Sequence, residues 1–122
     1  MSNTKKQPPV EAFPENHRAL SMCQPFVEQV FRGEKKIEYR GFKTNVRGLV
    51  YIYATKKPRM ECFEDCGFSV NDVSLGKIVG TAELTDCTGV DGDYHWHLSK
   101  PKRFEKPIEA ARHPQPSFFF AF

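Results

Sequence analysis

The run Leu49-Val50-Tyr51-Ile52-Tyr53-Ala54 constrains the fold of this chain more than any other segment, because consecutive apolar, β-branched and aromatic residues make it the strongest strand signal present. Leu49, Tyr51 and Tyr53 line one face, and Val50 and Ile52 line the other. Shorter extended runs surround it. Residues 19–22 alternate like a short strand, 36–40 read as another, and 77–87 form a longer one in which Gly80 marks a bulge or a bend. Residues 88–93 read as a loop, and strands are expected again at 94–98, 102–104 and in the aromatic end 118–122. Two short helices complete the set. Pro25 suits a first helical turn, where no N–H is needed; Phe26, Val27, Val30 and Phe31 then share a face, Glu28, Gln29 and Arg32 point away, and Gly33 caps the end. Residues 58–66, opened by Pro58 and stopped by Gly67, read as the second helix. The expectation is an α+β fold, a small curled mixed β-barrel of about five or six strands with two short helices.

A chain of 122 residues with 39% apolar content and 11 Phe suits one domain. Residues 1–16 are polar and broken by Pro8, Pro9 and Pro14, which predicts a disordered N-terminal tail ahead of a domain at 17–122. The start carries no apolar signal core, and no run of about 18 apolar residues occurs, so a cytoplasmic protein without membrane association is expected. Cys23, Cys62, Cys66 and Cys87 are too few and too irregular for a disulfide scaffold and are expected as free thiols.

The net charge is only +3, but its distribution is uneven. Residues 32–59 carry nine basic side chains against Glu34 and Glu38, whereas residues 61–93 carry eight acidic ones against Lys77. A basic block of this kind fits a phosphate-facing surface. The plainer reading is two oppositely charged faces that keep the protein soluble.

Within the basic block, Gly33-Glu34-Lys35-Lys36-Ile37-Glu38-Tyr39-Arg40 has the form G-x-K-x-x-E-x-R at a helix-to-strand junction. Lys35 offers a compact point charge, and Arg40 offers a planar fork able to grip a phosphate or a base edge. Glu38 repels phosphate, so its expected task is to orient the two cations or to accept from an exocyclic amine. Strand alternation puts Glu38 and Arg40 on one face and Lys35 on the other, although a junction need not keep that order. Without further context, a Glu38–Arg40 surface pair worth about 0–1 kcal/mol is the simpler account.

Further context comes from Ala19-Leu20-Ser21-Met22, Gln24-Pro25-Phe26, the G-x-K-x-x-E-x-R motif, Arg47-Gly48 before the Tyr-rich strand, and Leu75-Gly76-Lys77-Ile78-Val79-Gly80. Together they make most of residues 17–122 resemble the ASCH domain, a small β-barrel of the PUA-like superfamily. The resemblance implies a cleft beside the first helix that holds the motif charges, and a role in binding RNA or nucleotides. The ligand-binding residues expected on this basis are Gln24, Lys35, Glu38, Arg40, Lys43, Tyr53 and Trp96. Trp96 is included because His95 and His97 flank it, and base stacking on such rings contributes about 1–3 kcal/mol in single-strand binders. Most aromatic rings in so small a barrel must nevertheless fill the core.

Two other functions remain open. Some small ASCH proteins are amidohydrolases on acetylated cytidine, using the motif lysine, a threonine three residues later and a downstream glutamate, and others are nucleases. Carried over, these positions fall on Lys35, Glu38 and Glu83, so a carboxylate stands where the amidohydrolase pattern has its threonine. Glu38 then suits a base toward water better than a nucleophile. A protein-docking module is the remaining alternative, resting on the charge split and the C-terminal aromatic run. No cofactor is called for. Cys62 and Cys66 one helical turn apart, with His95 and His97 on one strand face, make a zinc site conceivable, but the spacing matches no strong zinc signature and no metal is expected.

Overall fold

The computed structural model describes residues 17–122; the expected disordered tail at 1–16 lies outside them. In chain order the elements are β1 (Ala19–Met22), α1 (Phe26–Phe31), β2 (Ile37–Arg40), β3 (Gly48–Ala54), two 3-10 turns (Met60–Cys62 and Val70–Asp72), β4 (Lys77–Val90), β5 (Asp93–Ile108) and β6 (Phe118–Phe119). The six strands form one sheet in the order β2-β5-β4-β3-β1-β6. β1 runs parallel to β3, and every other neighbouring pair is antiparallel. The sheet is mixed and curled, as expected, but it does not close, because β2 and β6 end it without pairing to each other.

β3 shows why this sheet needs cover on both faces. Val50, Ile52 and Ala54 enter one apolar cluster with Leu20, Met22, Leu84, Trp96 and Leu98, and α1 seals it with Val27 and Val30. Tyr51 and Tyr53 enter the other with Ala19, Ile78, Phe119 and Ala121. A strand buried on both sides reads as a continuous apolar run, which is how 49–54 reads.

Curvature comes from the β4–β5 hairpin, whose register shifts three times, the first between Ile78 and Gly80. Each shift adds an unpaired residue and increases local twist. Gly80 is required there, since a Cβ would stand 2.2 Å from the Lys102 carbonyl oxygen and 2.7 Å from the Phe31 ring. Four expectations are corrected. The strands at 94–98 and 102–104 are parts of one β5, and β4 runs on to Val90, shrinking the loop at 88–93 to a turn at Asp91–Gly92. Residues 58–66 form only the 3-10 turn Met60–Cys62, because that stretch offers Phe63 alone to the interior and lacks the apolar stripe that would dock a helix. Glu28 does not point outward from α1. It is buried, accepting two hydrogen bonds from Arg103 at 2.8 and 2.9 Å and one from Arg32 at 2.8 Å.

Candidate functional site

The unclosed seam of the sheet is a cleft of about 530 Å³, walled on one side by β2 and its approach and on the other by the end of β1, the residues after β3 and the segment before β6. Local chemistry builds the first wall. Gly33, at φ +79°, turns the chain out of α1 and delivers Lys35 to the junction before β2. Glu38 then pairs across the sheet with Trp96, and residues directly opposite share a face, so Glu38 projects into the curl instead of toward solvent. Its side chain is only 12% exposed.

Glu38 is the centre of the charge arrangement. Its Oε2 accepts from Arg40 Nε at 2.8 Å, and its Oε1 lies 3.4 Å from Lys35 Nζ. Arg40 also donates from Nη2 to the Ser21 carbonyl at 2.8 Å, which pins β2 across the seam to β1. Beneath it, 5.1 Å from the guanidinium carbon, lies the ring of Trp96. Lys35 Nζ stands 5.3 Å from the Phe26 ring and 5.1 Å from Tyr39, whose ring is largely exposed at the cleft mouth. Lys35 therefore shares the cleft with Glu38 despite strand alternation, because it precedes β2.

The opposite wall comes from long-range pairing. Parallel β1 and β3 end side by side, so Thr55 N–H donates to the Met22 carbonyl at 2.9 Å and Arg59 N–H to the Gln24 carbonyl at 2.8 Å. This carries Thr55 and Arg59 to the cleft next to Cys23. Arg59 meets no carboxylate within ion-pair distance among the described residues. Ser21 fixes the third side, its N–H donating to the Ser117 carbonyl and its hydroxyl to that of Gln115, both at 2.7 Å. Burial pushes the Cys23 thiol up from its ordinary pKa of 9.0, against the pull of Arg59, so it stays protonated at neutral pH and is a poor nucleophile.

Of the residues expected to bind a ligand, Lys35, Glu38 and Arg40 converge on this cleft. The others lie elsewhere. Gln24 is buried beneath it, its amide donating to the Ser74 carbonyl and accepting from the Glu28 N–H. Trp96 is fully buried, stacked on Phe118 at 5.3 Å and donating to the Phe42 carbonyl, so it is the platform under Arg40 and not a ligand-facing ring. Tyr53 lines a neighbouring hollow, and Lys43 is exposed outside the cleft. Glu83 sits between the inward-facing Ala82 and Leu84, hence on the opposite face of β4, with its carboxylate 3.9 Å from Lys100 Nζ and outside the cleft lining. Phe26, Thr55 and Arg59 also line the cleft, and of these the sequence pointed only to Arg59, through the basic block; Tyr39 is one of the strand aromatics near basic residues that the sequence offers for base stacking.

Cys62 and Cys66 stay together, the Cys66 thiol donating to the Cys62 carbonyl at 3.0 Å, whereas His95 and His97 contact Asp93 and Thr88 on the far hairpin. Among the described residues no group of three or more His, Cys, Asp or Glu side chains is placed to hold a metal ion. No helix among them is long and apolar enough to cross a membrane.

An open, curled six-stranded mixed sheet with few helices is consistent with a PUA-like fold. The sequence matches the ASCH domain over residues 20–110, and the chain belongs to that family, whose members are generally thought to bind RNA. Two solved structures share the fold at 15% identity. The ASCH protein from Zymomonas mobilis aligns with a TM-score of 0.57 over 88% of each chain, and a Tyr-to-Phe mutant of that protein with 0.56 over 85% of this chain and 88% of its own. No curated protein matches the sequence.

Proposed function

We propose that this protein binds RNA through the seam cleft, a nucleobase entering beside Phe26 and Tyr39 while phosphate is held by Lys35 and Arg59. The observation that carries this reading is the largely buried Glu38 set between Lys35 and Arg40 at the wall of an open cleft of about 530 Å³. Three cations, Lys35, Arg40 and Arg59, share the cleft with one carboxylate, so a polyanion is attracted overall. The carboxylate repels phosphate locally and accepts hydrogen bonds only, which favours an exocyclic amine of a base at that spot and phosphate nearer Arg59. Lys35 holds Glu38 loosely enough to leave its Oε1 with accepting capacity. The hydrolase alternative needs Glu83 beside Lys35, whereas the binding reading uses only residues that line the cleft.

The test is the affinity of a labelled single-stranded RNA, read by fluorescence anisotropy at several salt concentrations. Lys35→Ala and Arg59→Ala are each expected to weaken binding about tenfold, the size of one lost charged hydrogen bond, and to flatten the salt dependence. Unchanged affinity in the double variant would sink the reading.

A further inference from the structure

A second hollow of about 420 Å³ adjoins the seam cleft and shares Ser21, Thr55 and Pro116 with it as a common wall. Its chemistry differs from that of the cleft. Tyr53 and Pro114 give it apolar surface, Lys56, Lys57 and His113 stand around it, and no carboxylate lines it among the described residues. Tyr53 is buried and fixed edge-on against Phe119 at 5.5 Å, and burial raises its phenol pKa, so this wall stays neutral. Lys56 is placed by the backbone turn at Gly76, which has φ +70° and donates its N–H to the Ala54 carbonyl at 2.7 Å. A Cβ at Gly76 would come to 3.0 Å from Lys56 Cγ, so the glycine leaves room for the lysine stem to lie over it. The acid nearest in charge, Glu109, is held by Lys77.

We propose that this hollow is a second nucleotide subsite, so that the preferred ligand is a single-stranded RNA of two or more linked nucleotides and not a free nucleoside or nucleotide. The proposal rests on the seam cleft being a nucleotide site. One base occupies the cleft; the linking phosphodiester crosses the shared wall at Thr55, between Arg59 on one side and Lys56 and Lys57 on the other; the next base lies against the exposed His113 ring and Pro114, over the buried Tyr53. A flat ring with a polar edge suits apolar walls with few donors, and the cations flank the place where the linking phosphate must pass. An acidic peptide fits less well, because its carboxylates would have to approach Glu38 in the adjoining cleft.

Binding of ribonucleoside monophosphates, dinucleotides and a dinucleotide with one base removed, measured by calorimetry on wild type and on Lys56→Ala/Lys57→Ala, tests the inference. The intact dinucleotide is expected to bind at least about tenfold more tightly than a mononucleotide, the scale of one added stacking contact. The double substitution should abolish most of that gain while mononucleotide affinity stays within about twofold, and the abasic dinucleotide should lose the gain on wild type. A control pair, Lys100→Ala/Lys102→Ala, removes two exposed lysines outside both hollows and should leave the gain intact. Equal affinity for mononucleotide and dinucleotide, an equal loss for both in Lys56→Ala/Lys57→Ala, or tighter binding of an acidic peptide than of the dinucleotide overturns the second subsite alone. If no ribonucleotide of any length binds, the reading of the seam cleft falls and this inference falls with it.

Discussion

Among the described residues, Glu28 and Glu38 are each set between two cations, yet of the two only Glu38 lines the seam cleft. Glu28 on α1 accepts three short hydrogen bonds, two from the fork of Arg103 and one from Arg32, and so ties the helix to β5. Glu38 on β2 has one short bond, from Arg40, and a looser partner in Lys35 at 3.4 Å. The first carboxylate has both oxygens in short charged hydrogen bonds and does not line the cleft, so nothing about its arrangement invites a ligand. The second keeps accepting capacity, and its cations face a cleft instead of a packed helix. An acid between two bases is therefore not a site in itself; what separates an architectural clasp from a candidate binding centre is whether hydrogen-bonding capacity remains and whether space adjoins it.

The comparison can be broken most severely on the Glu28 side. Gly80 lets Phe31 of α1 and the Lys102 carbonyl of β5 meet above β4, close to the clasp. Gly80→Ala should cost about 3 kcal/mol in denaturant unfolding, because backbone on one side and a packed ring on the other leave the new methyl nowhere to go. A loss below about 1 kcal/mol would mean that the helix–sheet contact is soft and that the clasp does not hold a rigid junction.

Glu28→Gln is expected to have the next largest effect, about 1–2 kcal/mol, reduced from the cost of a fully buried pair because Arg32 and Arg103 are nearly half exposed and rehydrate. Its pH dependence gives a sharper readout. Burial pushes the Glu28 carboxyl upward, but the hydrogen bonds from Arg103 and Arg32 outweigh it and hold the pKa below its ordinary value of 4.5. A carboxyl depressed in the folded state contributes stability that is fully present above its unfolded pKa and is lost as pH falls through the folded one. Melting temperature should thus drop below about pH 4.5 in wild type more steeply than in Glu28→Gln. Parallel acid profiles would remove Glu28 from the account.

The contrast between the two acids also marks where the sequence stopped being legible. Local signals carried β3, the glycine cap at Gly33 and the bulge at Gly80, since each depends on neighbours within a few residues. They placed the G-x-K-x-x-E-x-R motif at the helix-to-strand junction for the same reason. Glu28 was expected on the solvent side of α1 because its partner Arg103 lies 75 residues away, and nothing on the helix announces it. Trp96 was expected at the ligand because His95 and His97 flank it, but alternation tells which residues share a face and not which face is enclosed, and here both faces of the sheet are. Arg59 escaped because it reaches the cleft only through the parallel pairing of β1 with β3, a long-range contact with no local pattern. Glu83, by contrast, falls outside the cleft through local alternation, on the face of β4 opposite Ala82 and Leu84.

The smallest expected effect on stability is the most discriminating one. Lys35→Gln removes a partner that holds Glu38 at 3.4 Å without a short hydrogen bond, and Glu38 keeps its bond to Arg40. Stability should fall by less than about 1 kcal/mol, because the 3.4 Å contact is longer than a charged hydrogen bond and Glu38 keeps Arg40, although both side chains are largely buried. If the two triads were equivalent, Lys35→Gln and Glu28→Gln would shift the unfolding midpoint alike. A loss at Lys35 as large as that at Glu28 would show that Glu38 is also clasped for architecture, and its cations would then be committed to the fold. A negligible loss, measured in the same denaturant series, leaves Lys35 as a charge the fold does not need, held beside Phe26 and Tyr39 at the mouth of the cleft, where only a ligand would give it a use.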